Sequence, residues 1–170
     1  FVGGHPMAGS HNAGIDYADA DLFCDAPYAL VNDDTNDGSI AAAREISDVA
    51  QAIGARPVML TAKEHDRIVA RLSHAPQLQA TALACGVDEA DLRLAGGGFA
   101  EMSRLAGSQW PVWEDICRTN ADEIAAALDE LIGRIEGIRS WIGAGDFDAI
   151  GSAFGQANEL MRRFQTSFKA

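Results

Sequence analysis

Apolar positions in the first sixty residues fall into short runs separated by glycine, proline and acidic turns. The runs at residues 1–4, 26–31 and 56–60 predict three strands. Between the last two runs, apolar residues recur at helical spacing until a glycine ends the repeat, and they are Ile40, Ala43, Ile46, Val49, Ala50 and Ile53, followed by Gly54. A strand, a helix and a strand in this order predict the end of a doubly wound sheet.

The pattern after residue 60 predicts helices and no strand. Thr61 and Glu64 have the spacing of a capping box and open a helical run through residue 84, in which Pro76 should produce a kink. Further helices are predicted at residues 100–106, 111–119, 121–142 and 147–168, after a glycine loop at residues 94–99. The predicted fold class is therefore mainly α, with a short α/β segment at residues 1–60 and an all-helical domain at residues 61–170.

The last two predicted helices carry broad apolar faces. The first face comprises Ile124, Leu128, Leu131, Ile135, Ile138 and Ile142, and the second comprises Phe147, Ile150, Phe154, Leu160, Met161, Phe164 and Phe168. One layer of helices does not easily cover both faces, which favours packing against another subunit. An ordinary bundle within the chain fits the same pattern equally well.

Composition narrows the class of protein. The chain has 170 residues, 48% of them hydrophobic, and a net charge of −12, which argues against nucleic acid or an anionic membrane as a partner. No apolar run has the length of a membrane span, and we expect neither a membrane span nor a signal peptide. Three widely spaced cysteines without a CxxC pattern, Cys24, Cys85 and Cys117, predict reduced and mostly buried thiols of a cytoplasmic protein. No metal site is predicted.

Several polar residues lie at positions that are typical of catalytic or ligand-binding side chains. His5 follows an apolar run and enters a loop rich in glycine and proline, a usual place for a general base, although a packed loop histidine fits the same position. Arg104 lies shortly after a run of three glycines, and its guanidinium could bind a carboxylate through two N–H groups. Glu101 lies one helical turn before it. An arginine in such a place is often only solvated, and a tryptophan such as Trp113 is usually part of the core.

Six stretches give these residues a common context. In chain order they are GHPMAGS (4–10), ADLF (20–23), LTAKEHD (60–66), SHAPQ (73–77), AGGGF (95–99) with Arg104, and WEDIC (113–117) with Asn120. In this order they resemble the prephenate/arogenate dehydrogenase family across essentially the whole chain. HPMAGS and GGGF followed by the arginine are the most specific parts of the resemblance.

The resemblance implies an activity and a division of roles. It implies oxidative decarboxylation of prephenate or arogenate in tyrosine biosynthesis, with hydride transfer to NAD or NADP. It implies an intertwined homodimer, in which residues 1–60 are the remnant of the nucleotide-binding domain and residues 61–170 form the substrate-binding and dimerisation domain. His5 would be the catalytic base and Arg104 would bind a substrate carboxylate. The other implied substrate-binding residues are Ser10, His11, His74, Gln77, Gly97, Glu101 and Trp113.

Two departures and one absence bear on that expectation. His11 stands where many members carry an acidic residue that could pair with the amino group of arogenate, which favours prephenate. Gln77 stands where some relatives have a second histidine. No GxGxxG motif follows a strand, so we expect most cofactor-binding residues before Phe1 and an inactive isolated chain. NAD or NADP, prephenate or arogenate, and inhibition by tyrosine all stay open.

Two other functions fit parts of the pattern. A different dehydrogenase with a helical C-terminal domain, of the hydroxyacid or phosphogluconate type, explains the architecture but not His5 and Arg104 within these motifs. A non-catalytic helical dimerisation or interaction module explains the apolar faces. A GxGxxG unit upstream of Phe1 would favour an enzyme, whereas a start codon at Phe1 would favour the module.

Overall fold

A computed structural model describes residues 1–9, 14–32 and 37–167. Seven α-helices and three strands, with short 3₁₀ turns between some of them, make up this part of the chain, which confirms a mainly helical fold with a short α/β segment. The elements are β1 (Gly3–Pro6), β2 (Pro27–Val31), α1 (Asp37–Ala52), β3 (Arg56–Leu60), α2 (Ala62–Val69), α3 (Ala75–Cys85), α4 (Gly97–Ser103), α5 (Trp110–Thr119), α6 (Ala121–Ala144) and α7 (Phe147–Ser167).

The three strands form one mixed sheet with β2 in the centre. β1 pairs antiparallel with β2, so that His5 lies opposite Ala29, and β2 pairs parallel with β3. The parallel pair needs a crossover, which α1 provides. Because β2 is flanked on both sides, its Leu30 is fully buried, and α1 covers the sheet with small buried residues such as Ala43 and Ala50. The strand, helix and strand predicted from the sequence are therefore present.

The long helical run predicted after residue 60 is divided into two helices by a wide turn. Thr61 caps α2 through the predicted capping box with Glu64. Residues Ala70–His74 then form a π-turn, and Ala75 donates its N–H to the carbonyl of Ala70 before α3 begins. Pro76 cannot donate a backbone hydrogen bond, so the extra residue in the turn immediately before it accommodates the proline. The kink predicted at Pro76 stays a prediction, and what the structure shows before the proline is this wide turn.

The predicted glycine loop at residues 94–99 is only partly a loop. A 3₁₀ turn covers Glu89–Leu94, and α4 already begins at Gly97 with Gly96 as its N-cap. The helix ends at Ser103, and Arg104–Gly107 continues as a 3₁₀ turn. The glycine-rich sequence predicts a loop, but the start of a helix also accepts glycine.

Two compact units divide the chain, residues 1–127 and residues 128–170. The predicted change of domain near Thr61 stays a prediction. In the second unit Asp146 accepts the N–H of Ala149 and so caps α7. Large apolar side chains of this unit are exposed, including Ile135, Ile142, Phe147, Phe154 and Leu160, whereas Phe168 lies outside the described residues.

Two predictions about solvent exposure and membranes can be compared with the structure. The expectation of mostly buried thiols is wrong, because Cys24 and Cys85 are exposed and Cys117 is half-buried. Cys85 is the last residue of α3, and Cys24 lies in a turn, so neither faces a core. Within the described ranges, no helix combines the length and the apolar character that crossing a membrane requires.

Candidate functional site

His5 lies within β1 and not in the loop after it, which corrects the predicted position. The strand continues past the histidine because Met7 donates its N–H to the carbonyl of Pro27, which extends the pairing with β2. The imidazole is half-buried. A strand fixes the backbone of His5 more firmly than a glycine-rich loop would, so the ring has a defined place from which to act.

A second histidine and a carboxylate form a chain of hydrogen-bond contacts that begins at His5. Nδ1 of His5 lies 2.8 Å from Nε2 of His65, and Nδ1 of His65 lies 2.9 Å from Oδ1 of Asp66. Both partners belong to α2, where the N–H of His65 donates to the carbonyl of Thr61. The capped start of α2 therefore holds His65 and Asp66 against the ring of His5.

His65 and Asp66 are absent from the residues predicted for the site. Both belong to the LTAKEHD stretch, and adjacent histidine and aspartate just after a capping box were the signal available in the sequence. Spacing alone does not show that this pair meets a histidine 60 positions earlier. The contact depends on the packing of α2 against the sheet.

His74 lies at the end of the π-turn and is buried. The side-chain amide nitrogen of Asn120 donates to the backbone carbonyl of Asp66 at 2.9 Å and lies 3.3 Å from Nδ1 of His74. A carbonyl oxygen only accepts, so the amide presents its NH₂ group to both neighbours. Nδ1 of a neutral His74 is therefore the acceptor, and its Nε2 carries the proton. The ring of Trp113 meets His74 edge-on, with centroids 6.0 Å apart.

The surroundings of His5 and His74 favour the neutral form of both rings. Burial lowers the pKa of His5 below 6.5, and the neighbouring His65 lowers it further. Burial also lowers the pKa of His74, and His5 and His65 add to this effect, whereas Asp66 opposes it. At neutral pH His5 is therefore able to accept a proton, and His74 is able to donate a hydrogen bond without carrying charge.

The amide of Gln77 is used within the fold. Its Nε2 donates to the carbonyl of Leu105 at 2.7 Å, and its Oε1 accepts the hydroxyl of Ser108 at 3.1 Å. Gln77 is buried, so these bonds satisfy both ends of an amide that water does not reach. They fix the turn that begins at Arg104, and a direct contact of Gln77 with substrate stays a prediction.

The other predicted residues lie on α4 and α5 or outside the described ranges. Gly97 is the first residue of α4, Glu101 is exposed on the same helix, and Arg104 is exposed at the start of the following turn. Within residues 14–32 and 37–167, no ion pair joins Glu101 to Arg104. The structure thus links His5, His74 and Trp113 to one polar cluster, and it does not join Arg104, Glu101 or Gly97 to that cluster. Ser10 and His11 lie outside the described residues.

The side chains of the described residues offer neither a metal site nor a complete dinucleotide site. Within the part of the chain that the structure describes, no group of three or more His, Cys, Asp or Glu side chains could hold a metal ion. The sequence has no GxGxxG turn to receive a pyrophosphate. Among the residues that the structure describes, β2, α1 and β3 form the one parallel crossover unit. These residues fit one part of a dinucleotide site and not its phosphate-binding loop.

Comparison with known families decides the relationship. Residues 61–156 match the family described as prephenate dehydrogenase, dimerization domain, and residues 1–59 match prephenate dehydrogenase, nucleotide-binding domain. The chain belongs to the prephenate dehydrogenase family. The resemblance inferred from the ordered motifs is thereby confirmed.

Individual relatives agree with this assignment. The prephenate dehydrogenase of Bacillus subtilis is 32% identical over 98% of this chain, which covers 43% of that protein. The crystal structure of Synechocystis arogenate dehydrogenase matches with a TM-score of 0.81 and 26% identity, over 96% of this chain and 61% of that one. The A. aeolicus prephenate dehydrogenase, solved with hydroxyphenyl propionate and NAD+, shares the fold with a TM-score of 0.81 and 22% identity, over 98% of this chain and 59% of that one. The chain thus spans about half the length of these relatives.

Proposed function

We propose that this chain supplies the catalytic base and the helical dimerisation domain of an enzyme that oxidatively decarboxylates prephenate, or its amino analogue arogenate. The observation that carries the proposal is a half-buried His5 in β1 whose ring nitrogen lies 2.8 Å from that of His65, and burial lowers the pKa of His5. Family membership supports the reaction class. The boundary proposed near Thr61 is supported by the two family descriptions, which meet between residues 59 and 61.

His5 is proposed to act on the ring hydroxyl of the substrate. Hydride can leave the hydroxyl-bearing carbon only if the hydroxyl proton is withdrawn, since otherwise a positive centre remains there. A neutral imidazole accepts that proton at pH 7. Loss of the ring carboxylate as CO₂ then aromatises the ring, and its oxygen recovers one proton to become a phenol.

The substrate carries two carboxylates, and the protein around it is acidic, with a net charge of −12. Arg104 is proposed to bind one carboxylate because a guanidinium offers two parallel N–H donors. Gln77 holds the carbonyl of Leu105, next to Arg104, and so positions the turn. His74 is proposed to donate from Nε2 to a substrate oxygen, and Trp113 packs on its ring.

Residues 1–59 are proposed to help hold NAD+ or NADP+, which when bound would supply the hydride acceptor. The match of residues 1–59 to a nucleotide-binding domain supports this assignment, as does the NAD+ in the A. aeolicus structure. The chain is proposed to contribute a crossover unit and His5 to that site, and its sequence holds no GxGxxG turn.

A spectrophotometric assay tests the proposal. Full-length gene product is mixed with prephenate or arogenate and with NAD+ or NADP+, and formation of the reduced nicotinamide is followed by absorbance. We expect turnover with at least one of the four pairs, and the faster pair identifies substrate and cofactor. Absence of turnover with all four, from a folded protein, would refute the activity and favour a non-catalytic interaction module.

We also propose a homodimer formed through α6 and α7. The match to a dimerization domain over residues 61–156 supports it. So does the exposure of large apolar side chains on both helices, which is 60% for Ile142 and 67% for Phe154. Burying such residues against a second copy removes them from water, and obligate dimers bury more than about 2,000 Å² in total.

Light scattering tests the dimer. We expect the measured mass to be twice that of one chain and independent of concentration, because an apolar obligate interface does not dissociate at micromolar concentrations. Phe154→Lys should lower the mass or precipitate the protein, whereas Gln156→Lys on the same helix provides a matched control for the added charge. A monomeric mass for the unaltered protein at all concentrations would contradict the proposal.

A further inference from the structure

The hydrogen bonds from Asp66 through His65 to His5 have a single consistent direction when both rings are neutral. An ionised carboxylate only accepts, so Nδ1 of His65 must donate to Oδ1 of Asp66 across their 2.9 Å contact. The other ring nitrogen of a neutral His65, Nε2, then carries no proton. This Nε2 atom lies 2.8 Å from Nδ1 of His5 and can only accept a hydrogen bond, so Nδ1 of His5 is the donor. The Nε2 atom of His5 is left with a bare lone pair.

We propose that Asp66 and His65 are positioning residues that hold His5 in the Nδ1–H tautomer and so present Nε2 as the proton acceptor. This inference rests on the proposed function of His5 as the base. The opposite tautomer would place a proton on Nε2, and His5 could then donate to the substrate hydroxyl but could not take its proton.

The same chain of bonds stabilises the product of proton transfer. When Nε2 of His5 takes a proton, its ring becomes cationic and its Nδ1–H donates more strongly to His65. His65 in turn donates a hydrogen bond to the negatively charged carboxylate of Asp66. The side chain of His65 is only 17% exposed, so water does not easily replace this partner, whereas that of Asp66 is 48% exposed and its charge is partly screened. We therefore expect a moderate contribution from Asp66.

The tautomer can be measured without a substrate. Nitrogen-15 NMR of histidine-labelled protein, above the pKa of His5, distinguishes protonated from bare ring nitrogens, and His5→Asn assigns the signals. We expect a protonated Nδ1 and a bare Nε2 at His5. A protonated Nε2 in the unaltered protein would overturn the inference, whatever the enzymatic activity proves to be.

Asp66→Asn tests the consequence. An amide NH₂ placed against Nδ1 of His65 would reverse both hydrogen bonds and put the proton on Nε2 of His5, as an aspartate-to-asparagine change does in serine proteases. We expect kcat to fall about 10–100-fold, the range known for losing the hydrogen-bonded partner of a metal-binding histidine, with a much smaller change in KM and a shifted His5 tautomer.

Asp91→Asn, an exposed site on a 3₁₀ turn, is the matched control and should leave kcat and the His5 spectrum unchanged. Retention of both kcat and the tautomer in Asp66→Asn would contradict the role of Asp66. A fall in kcat with an unchanged tautomer would do the same. If the unaltered protein has no dehydrogenase activity, the proposed function fails while the spectra still decide the tautomer.

Discussion

Replacing His5 with asparagine should lower kcat of the full-length enzyme by about 10²–10⁴-fold, the range expected when a general base is lost. Asparagine is the chosen residue because its NH₂ group can still donate to Nε2 of His65 at the position of Nδ1, so the local hydrogen bond survives. KM should change much less, since the base acts on the reacting hydroxyl and contributes little to holding the carboxylates. Steady-state kinetics at saturating substrate and cofactor provide the measurement.

The pH dependence of kcat gives an independent readout. Only neutral His5 accepts a proton, and burial places its pKa below 6.5. Activity should therefore be constant around neutrality and should fall as the pH drops through that lowered pKa. His5→Asn should abolish this acid limb. If His5→Asn keeps a near-normal kcat, the same fall in activity at acid pH and an unchanged melting temperature, then His5 is structural and another group is the base.

Local signals in the sequence predicted most of the elements because each has a short-range cause. Thr61 and Glu64 specify the start of α2 by a capping box three residues wide, and Asp146 caps α7 in a similar way. The three apolar runs predicted the three strands within one or two residues. Where a position admits two local structures, as at Gly97, the sequence pattern predicted a loop and the chain forms a helix.

The candidate site was harder to predict because its contacts join distant parts of the chain. His5 was identified from its motif, but the partner that orients it lies 60 positions away, and no spacing rule connects a strand to the first turn of α2. Asn120 reaches back 46 positions to His74. Such pairs are set by the packing of helices on the sheet, a property of the whole fold. Exposure of the cysteines was mispredicted for the same reason, since residue type alone does not specify which face a helix end presents.

Replacing Arg104 with alanine should raise KM for prephenate by about 10–150-fold, while kcat falls far less. A charge-assisted hydrogen bond contributes roughly 1.5–3 kcal/mol, and each 1.4 kcal/mol corresponds to about a factor of ten. A carboxylate remote from the reacting carbon is held equally in the ground state and the transition state, so its loss is seen in KM. Arg104→Lys should recover only part of the affinity, because a point charge replaces a planar fork.

The competing interpretation is that Arg104 serves only as a surface residue paired with Glu101. Residues 14–32 and 37–167 show no such pair, and an exposed pair would contribute less than about 1 kcal/mol to stability and nothing to catalysis.

Arg93→Ala, at another exposed arginine on a 3₁₀ turn, is the matched control and should leave KM unchanged. Melting temperatures of Arg104→Ala and Arg93→Ala separate a folding defect from lost binding. An unchanged KM in Arg104→Ala together with a small loss of stability would remove Arg104 from the site. A raised KM at constant melting temperature is expected, because the turn that carries Arg104 is fixed through the carbonyl of Leu105 by Gln77 and not by the arginine side chain.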